Sequence, residues 1–155
     1  MANWCVNMVK FKTDKETLEQ IKALFLSLAA KESLKQEGQL PDFIPSSFPY
    51  FFDIRWEDDD LYYHTKWSPN IDSLVEVSKH FKVDHIHFYC EPACLLYGEA
   101  NYTNGQLKNT VLKTSDFKSY TYNKEEDTWS FEGQTYDDVY EVWEILLERR
   151  KQIEQ

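Results

Sequence analysis

The sequence predicts an α+β fold in which one antiparallel sheet is backed by amphipathic helices. Three observations predict it. Segments with apolar residues at every second position alternate with segments whose apolar residues recur every three or four. Those segments run strand, helix, strand, strand, helix, strand, and then further strands and a last helix. The 155 residues include only 4 Gly, so long flexible linkers are not expected.

Residues 4–12, WCVNMVKFK, alternate as a strand. Trp4, Val6 and Met8 share one face; Cys5, Val9 and Phe11 share the other, and both faces are expected to be at least partly covered. Thr13 and Glu16 have capping-box spacing, and Leu18, Ile21, Leu24, Phe25 and Leu28 follow as the stripe of a helix reaching Glu32 or Lys35. Gly38, Pro41 and Pro45 make 36–49 a loop. Residues 50–56 and 61–67 flank Glu57–Asp60 as an expected hairpin with a four-residue acidic connector. Ser68 then caps a helix with Pro69 in its first position, whose stripe is Ile71, Leu74, Val75, Ser78 and Phe81. Residues 83–90 form a strand with Ile86, Phe88 and Cys90 on one side and His85, His87 and Tyr89 on the other. A strand at 95–102 ends in a Thr-Asn-Gly turn. The last third offers a short strand at 111–114, a second acidic hairpin (119–123 with 128–131), a cap at Thr135 with Asp138, and a helix striped by Val139, Val142, Trp143, Leu146 and Leu147.

The first six elements follow the ferredoxin-like plan βαββαβ, with both helices on one face of the sheet. The whole chain, 1–155, is expected to be a single ferredoxin-like domain. Residues 106–155 form an extension whose strands lengthen the sheet and whose helix packs on it.

The formal charge is −10, from 27 acids against 17 bases. That sign excludes duplex nucleic acid as an expected ligand, because such binding rests on neutralising phosphates, and it favours a basic partner. No basic-then-apolar leader opens the sequence, and no apolar run approaches the ~18 residues that would cross a bilayer. No membrane association is therefore expected, and the expected setting is cytoplasmic, with the thiols of Cys5, Cys90 and Cys94 reduced.

Catalytic signatures are absent from the sequence: no nucleophile elbow, zinc-protease helix, phosphate loop or dinucleotide fingerprint occurs. His85 and His87 point the same way on their strand while Cys90 points the other way, and Cys90-x-x-x-Cys94 has no second pair to complete a structural zinc site. No metal site, cofactor or catalytic residue is expected. Tyr63, Trp67, Tyr89 and Tyr97 are aromatics that a sheet face can use to stack bases, but the basic-Gly-aromatic signature of such sheets is missing.

Three segments carry a family resemblance. Asn3, Trp4, Cys5 and Asn7 open the chain; Thr65, Trp67, Ser68 and Pro69 precede the second helix; Glu91, Pro92 and Gly98 mark a strand, a turn and a strand. In these, residues 3 to about 105 resemble the YubB ferredoxin-like domain family, the Api92-like group of plasmid, phage and other mobile-element proteins. Ala93–Leu96 depart from that group's glycine-rich sequence after Glu-Pro, and residues 106–155 match no further segment. The resemblance implies a ferredoxin-like fold and a mobile-element setting; it implies no activity. Trp4, Asn7, Trp67 and Glu91 are the candidate binding residues. Trp4 is also expected to bury area worth about 2–3 kcal/mol. The leading expectation is a non-enzymatic accessory module that binds another protein, a basic one by charge. An acidic nucleic-acid mimic that blocks a host DNA-binding or defence protein is one alternative. A small-molecule enzyme with a cleft between the sheet and the 36–49 loop is the other. An exposed edge strand also allows a homodimer.

Overall fold

A computed structural model of the chain describes residues 3–154. Strand β1 (Trp4–Lys12) occupies the middle of a six-stranded antiparallel sheet, ordered β2-β3-β1-β4-β5-β6. The other strands of that sheet are β2 (Phe52–Glu57), β3 (Asp60–Lys66), β4 (Asp84–Glu91), β5 (Leu96–Thr103) and β6 (Gln106–Val111). Helices α1 (Lys15–Lys35) and α2 (Ile71–Phe81) supply the crossovers. The order β4-β1-β3-β2, with both helices on one side, is the ferredoxin-like arrangement. Ile21, Phe25 and Leu28 of α1 and Leu74 and Val77 of α2 share one core with Val9, Phe11, Leu61 and Tyr63 of the sheet.

Local chemistry differs from the expectations at several joints. The cap of α1 is Asp14, whose carboxylate accepts the Thr17 N–H at 2.8 Å, rather than Thr13. The β2–β3 hairpin turns on two residues, Asp58 and Asp59, both at positive φ (50° and 65°), while Glu57 and Asp60 already pair. Ser68 does not cap α2. The chain leaves β3 with Trp67 at φ 70°, and the helix begins after Asn70. The fully buried positions of α2 are Ser73, Leu74, Val77 and Ser78, with Ile71, Val75 and Phe81 only half-buried. Two serines tolerate that face because each is bonded: Ser73 donates to Pro49 O at 2.6 Å and Ser78 lies 2.5 Å from His85 Nδ1.

Beyond the first six elements, β5 and β6, linked by the Asn104-Gly105 turn, join the main sheet, and β6 spans 106–111 rather than the shorter stretch expected at 111–114. The remaining strands, β7 (Thr121–Asn123), β8 (Thr128–Phe131) and β9 (Gln134–Tyr136), form a separate small sheet instead of lengthening the first. A short helix, α3 (Thr114–Phe117), precedes them. Helix α4 (Val139–Ile153) starts at Asp138, whose carboxylate accepts Tyr140 N–H at 2.9 Å; Thr135 belongs to β9. Val142, Trp143, Leu146 and Leu147 of α4 pack on Leu112 and Phe131, with Cys90 and Tyr97 against them. Cys90 and Tyr97 point away from α1 and α2, so α4 covers the far side of the sheet at its β4–β6 end. Ion pairs fasten it there: Lys151 to Glu99 at 2.8 Å and Arg150 to Asp116 at 2.7 Å. Among the described residues, no element covers that far side over β1, β2 and β3, where Trp4 and Val6 are exposed.

Gly98 makes a close strand-to-side-chain approach. A Cβ there would overlap the Tyr89 hydroxyl and come within 2.8 Å of Thr110 O. Gly98→Ala is therefore expected to destabilise the chain by about 1–3 kcal/mol, read as a lowered urea midpoint with an unchanged far-UV spectrum.

Candidate functional site

The two faces of β1 have opposite chemistry. Facing α1 and α2, Asn7 is wholly buried, and its amide donates to Thr65 Oγ1 at 3.0 Å and to Cys5 O at 3.1 Å. Its Oδ1 lies 2.8 Å from His87 Nε2, so that ring nitrogen carries the proton and donates. Tyr63 donates to Asn70 Oδ1 at 2.7 Å, and its oxygen lies 3.3 Å from His87 Nε2. Asn70 thus turns its side chain to the sheet instead of capping α2, which is why that cap is empty of a side-chain bond. His85 and His87 are buried, with Ser78 of α2 against His85. Burial pulls His87 down to about 3 and His85 to about 4. Burial likewise lifts the Cys5 thiol to about 11, and Tyr63 well above its usual range. The network holds neutral, sealed groups. Tyr63 and Tyr89, which a base-stacking face would need at the surface, lie inside it.

On the bare side, Trp4 is 44% exposed and Val6 46%, so Trp4 does not gain the burial expected of it. The indole instead forms a wall of an open groove of about 720 Å³. Trp4 meets Phe52 edge-on, with centroids 5.2 Å apart, and Lys66 Nζ sits 5.0 Å over the Phe52 ring. The opposite wall is the C-terminal turn of α1, with Glu32, Ser33, Gln36 and Glu37. Glu32 is held in place by two backbone donors of the edge strand, Asp53 N at 2.7 Å and Ile54 N at 3.1 Å. Those donors are free because Asp53, at φ 49°, puts a bulge between Phe52 and Arg55. The Asp53 carboxylate lies 3.3 Å from His64 Nδ1 on the groove floor.

Of the sequence-predicted residues, only Trp4 lines this groove. Asn7 stands behind the same strand, in the sealed network. Glu91 is 4% exposed, and its carboxylate accepts Ala93 N–H at 3.2 Å and Cys94 N–H at 2.6 Å, capping the 3-10 turn Pro92–Cys94. Trp67 is exposed at the sheet's end, its N–H bonded to Asn3 O at 2.7 Å. Sequence reasoning missed Phe52, His64, Lys66 and Glu32. The first three share Trp4's face only through the strand register, which pairs Trp4 with Lys66 and His64 with both Val6 and Phe52. Glu32 reads as an ordinary surface acid of a helix. Among the described residues no three His, Cys, Asp or Glu are grouped to hold a metal, and no helix is long and apolar enough to cross a membrane.

The sheet order and the helix placement define a ferredoxin-like domain. The chain belongs to the Api92-like family: the family model for the ferredoxin-like domain in Api92-like protein matches residues 51–132. The match runs from the β2 edge through β8. It takes in residues 106–132, which the sequence motifs left unplaced, and it does not include the Asn3–Asn7 opening. Neither the curated proteins nor the solved structures contain a match to the chain.

The buried histidines set a pH dependence. Their folded values lie below the unfolded value near 6.5, so the unfolded chain takes up protons first as pH falls. Stability is expected to be flat above about pH 7 and to drop below about 6.5, by on the order of 2 kcal/mol per histidine at pH 5. Urea midpoints measured between pH 7.5 and 5 check this, and a flat profile contradicts it.

Proposed function

We propose that the chain is a non-enzymatic binding module that receives a basic segment of another protein in the groove between Trp4, Phe52 and the end of α1. The observation that carries this reading is the exposure of Trp4. An indole on a rigid central strand forms a groove wall where a helix would otherwise cover it, and exposed apolar surface of that kind marks interaction sites. Aromatic faces beside carboxylates suit a guanidinium or ammonium group, each such contact contributing about 0.5–2 kcal/mol. The internal Lys66–Phe52 contact shows a cation already seated on one of the two rings. Glu37 and Asp53 rim the groove with exposed carboxylates, and the net charge of −10 draws a basic partner from a distance. An accessory role on a mobile element, the setting implied by the resemblance, fits such a module.

The alternatives draw less support. Several of the grouped acids that a nucleic-acid mimic would display have local duties. Asp58 and Asp59 form a turn, Asp60 pairs with Lys10 at 2.8 Å, Asp127 accepts the Tyr122 hydroxyl at 2.5 Å, and Asp138 caps α4. An enzyme using the cleft expected beside the 36–49 loop would need an enclosed polar pocket, and the hollow of about 450 Å³ along that loop is open; at the His64–Asp53 pair, among the described residues, no hydroxyl or thiol is hydrogen-bonded to His64.

The test is an NMR titration of the ¹⁵N-labelled chain with an arginine-rich peptide, reading the indole N–H signals of its 5 tryptophans. Trp4 is expected to shift saturably while Trp129 and Trp143 stay put, with binding that weakens as salt rises. Trp4→Ala should lower affinity about tenfold without unfolding the chain. Shifts centred on the acidic hairpins and indifferent to Trp4→Ala would overturn the reading.

A further inference from the structure

The two edges of the six-stranded sheet are built differently. At β2, Gln39 and Phe51 exchange backbone bonds of 2.9 Å in both directions, Glu32 occupies the Asp53 and Ile54 amides, and the Asp53 bulge twists the strand. These devices block a further strand. At β6 none of them is present among the described residues. Gln106–Val111 pairs with β5 without a register shift, contains no proline, and has no other strand against it.

The direction of the β6 backbone groups follows from one bond. Leu112 N–H donates to Tyr97 O at 3.0 Å. Bonded and non-bonded pairs alternate along an antiparallel ladder, so Gln106, Lys108 and Thr110 bond to β5. Leu107, Asn109 and Val111 point their N–H and C=O groups outward. The side chains from Gln106 to Asn109 are exposed, and Leu107 is 44% exposed.

We propose that this edge is the seam of a homodimer, β6 pairing antiparallel with β6 of a second copy about a two-fold axis at Asn109. The sequence is self-complementary in that register. Leu107 faces Val111 of the other copy, two apolar side chains on one face of the joined sheet. Lys108, the one charged residue of β6, faces Thr110 and not its own counterpart. An isologous contact requires this kind of self-match. The charge of −10 on each copy opposes association, so added salt strengthens the dimer by screening. The seam is independent of the groove at the opposite edge.

Sedimentation equilibrium over a range of protein concentrations, at low and moderate salt, tests this. The expected mass rises to twice that of one chain, at lower concentration when salt is present. Leu107→Pro removes an outward N–H and leaves the β5 ladder intact; it is expected to sediment as a monomer with an unchanged far-UV spectrum. In a Cys94→Ser background, Asn109→Cys is expected to form an intermolecular disulfide, since the two-fold sets the two positions about 5.5 Å apart at Cα. Gln106→Cys, facing position 112, should not. A monomer at every concentration, a dimer untouched by Leu107→Pro, or equal cross-linking at 106 and 109 would overturn the proposal. If Leu107→Pro fails to fold, the pair of cysteine variants decides.

Discussion

The hydrogen bond from His87 Nε2 to Asn7 Oδ1, 2.8 Å long and wholly buried, is the contact on which the arrangement depends. It joins the central strand to β4 through side chains, at a depth where an unpaired polar group costs about 1–3 kcal/mol. The same imidazole lies beside Tyr63, and Tyr63 holds Asn70 at the start of α2. Helix, strand and crossover are thereby registered to one another by directional bonds and not by apolar area alone. The burial that α2 and the sheet impose on His87 keeps the imidazole neutral.

A central strand committed to a polar network on one face leaves its other face available. That other face of β1 carries Trp4, Val6 and Met8, and α4 reaches only the β4–β6 end of it. Uncovered aromatic surface therefore accumulates over β1–β3, where the α1 C-terminus and the bulged edge wall it into a groove. Glu32 belongs to both aspects of this design. Its carboxylate quiets the edge amides of Asp53 and Ile54 and in doing so fixes the groove's second wall.

Much of this was legible in the residues. The period-two run at 4–12, the helical stripe beginning at Leu18 and the aromatic hairpin gave the βαββαβ order, and the alternation at 83–90 put His85, His87 and Tyr89 on one face as observed. What was not legible depended on register or on tertiary cover. Whether Trp4's face is covered is decided by where α4 lands, and nothing within residues 4–12 encodes that. Phe52, His64 and Lys66 reach Trp4 through strand pairing across the sheet. Ser73 and Ser78 read as polar interruptions of α2 until their buried acceptors, Pro49 O and His85, are known. Nearby cap-competent residues, Thr13 next to Asp14 and Ser68 two residues before Asn70, offer more than one helix start, and the turn geometry selects among them.

The most direct test of the central claim, that β1 is sealed on one face and open on the other, is hydroxyl-radical footprinting of the native chain with residue-level mass spectrometry. The account predicts rapid oxidation of Trp4 and Trp67, with Tyr63 and His87 protected until the chain unfolds. Protection of Trp4 to the level of Tyr63, or oxidation of His87 in the native state, would contradict it.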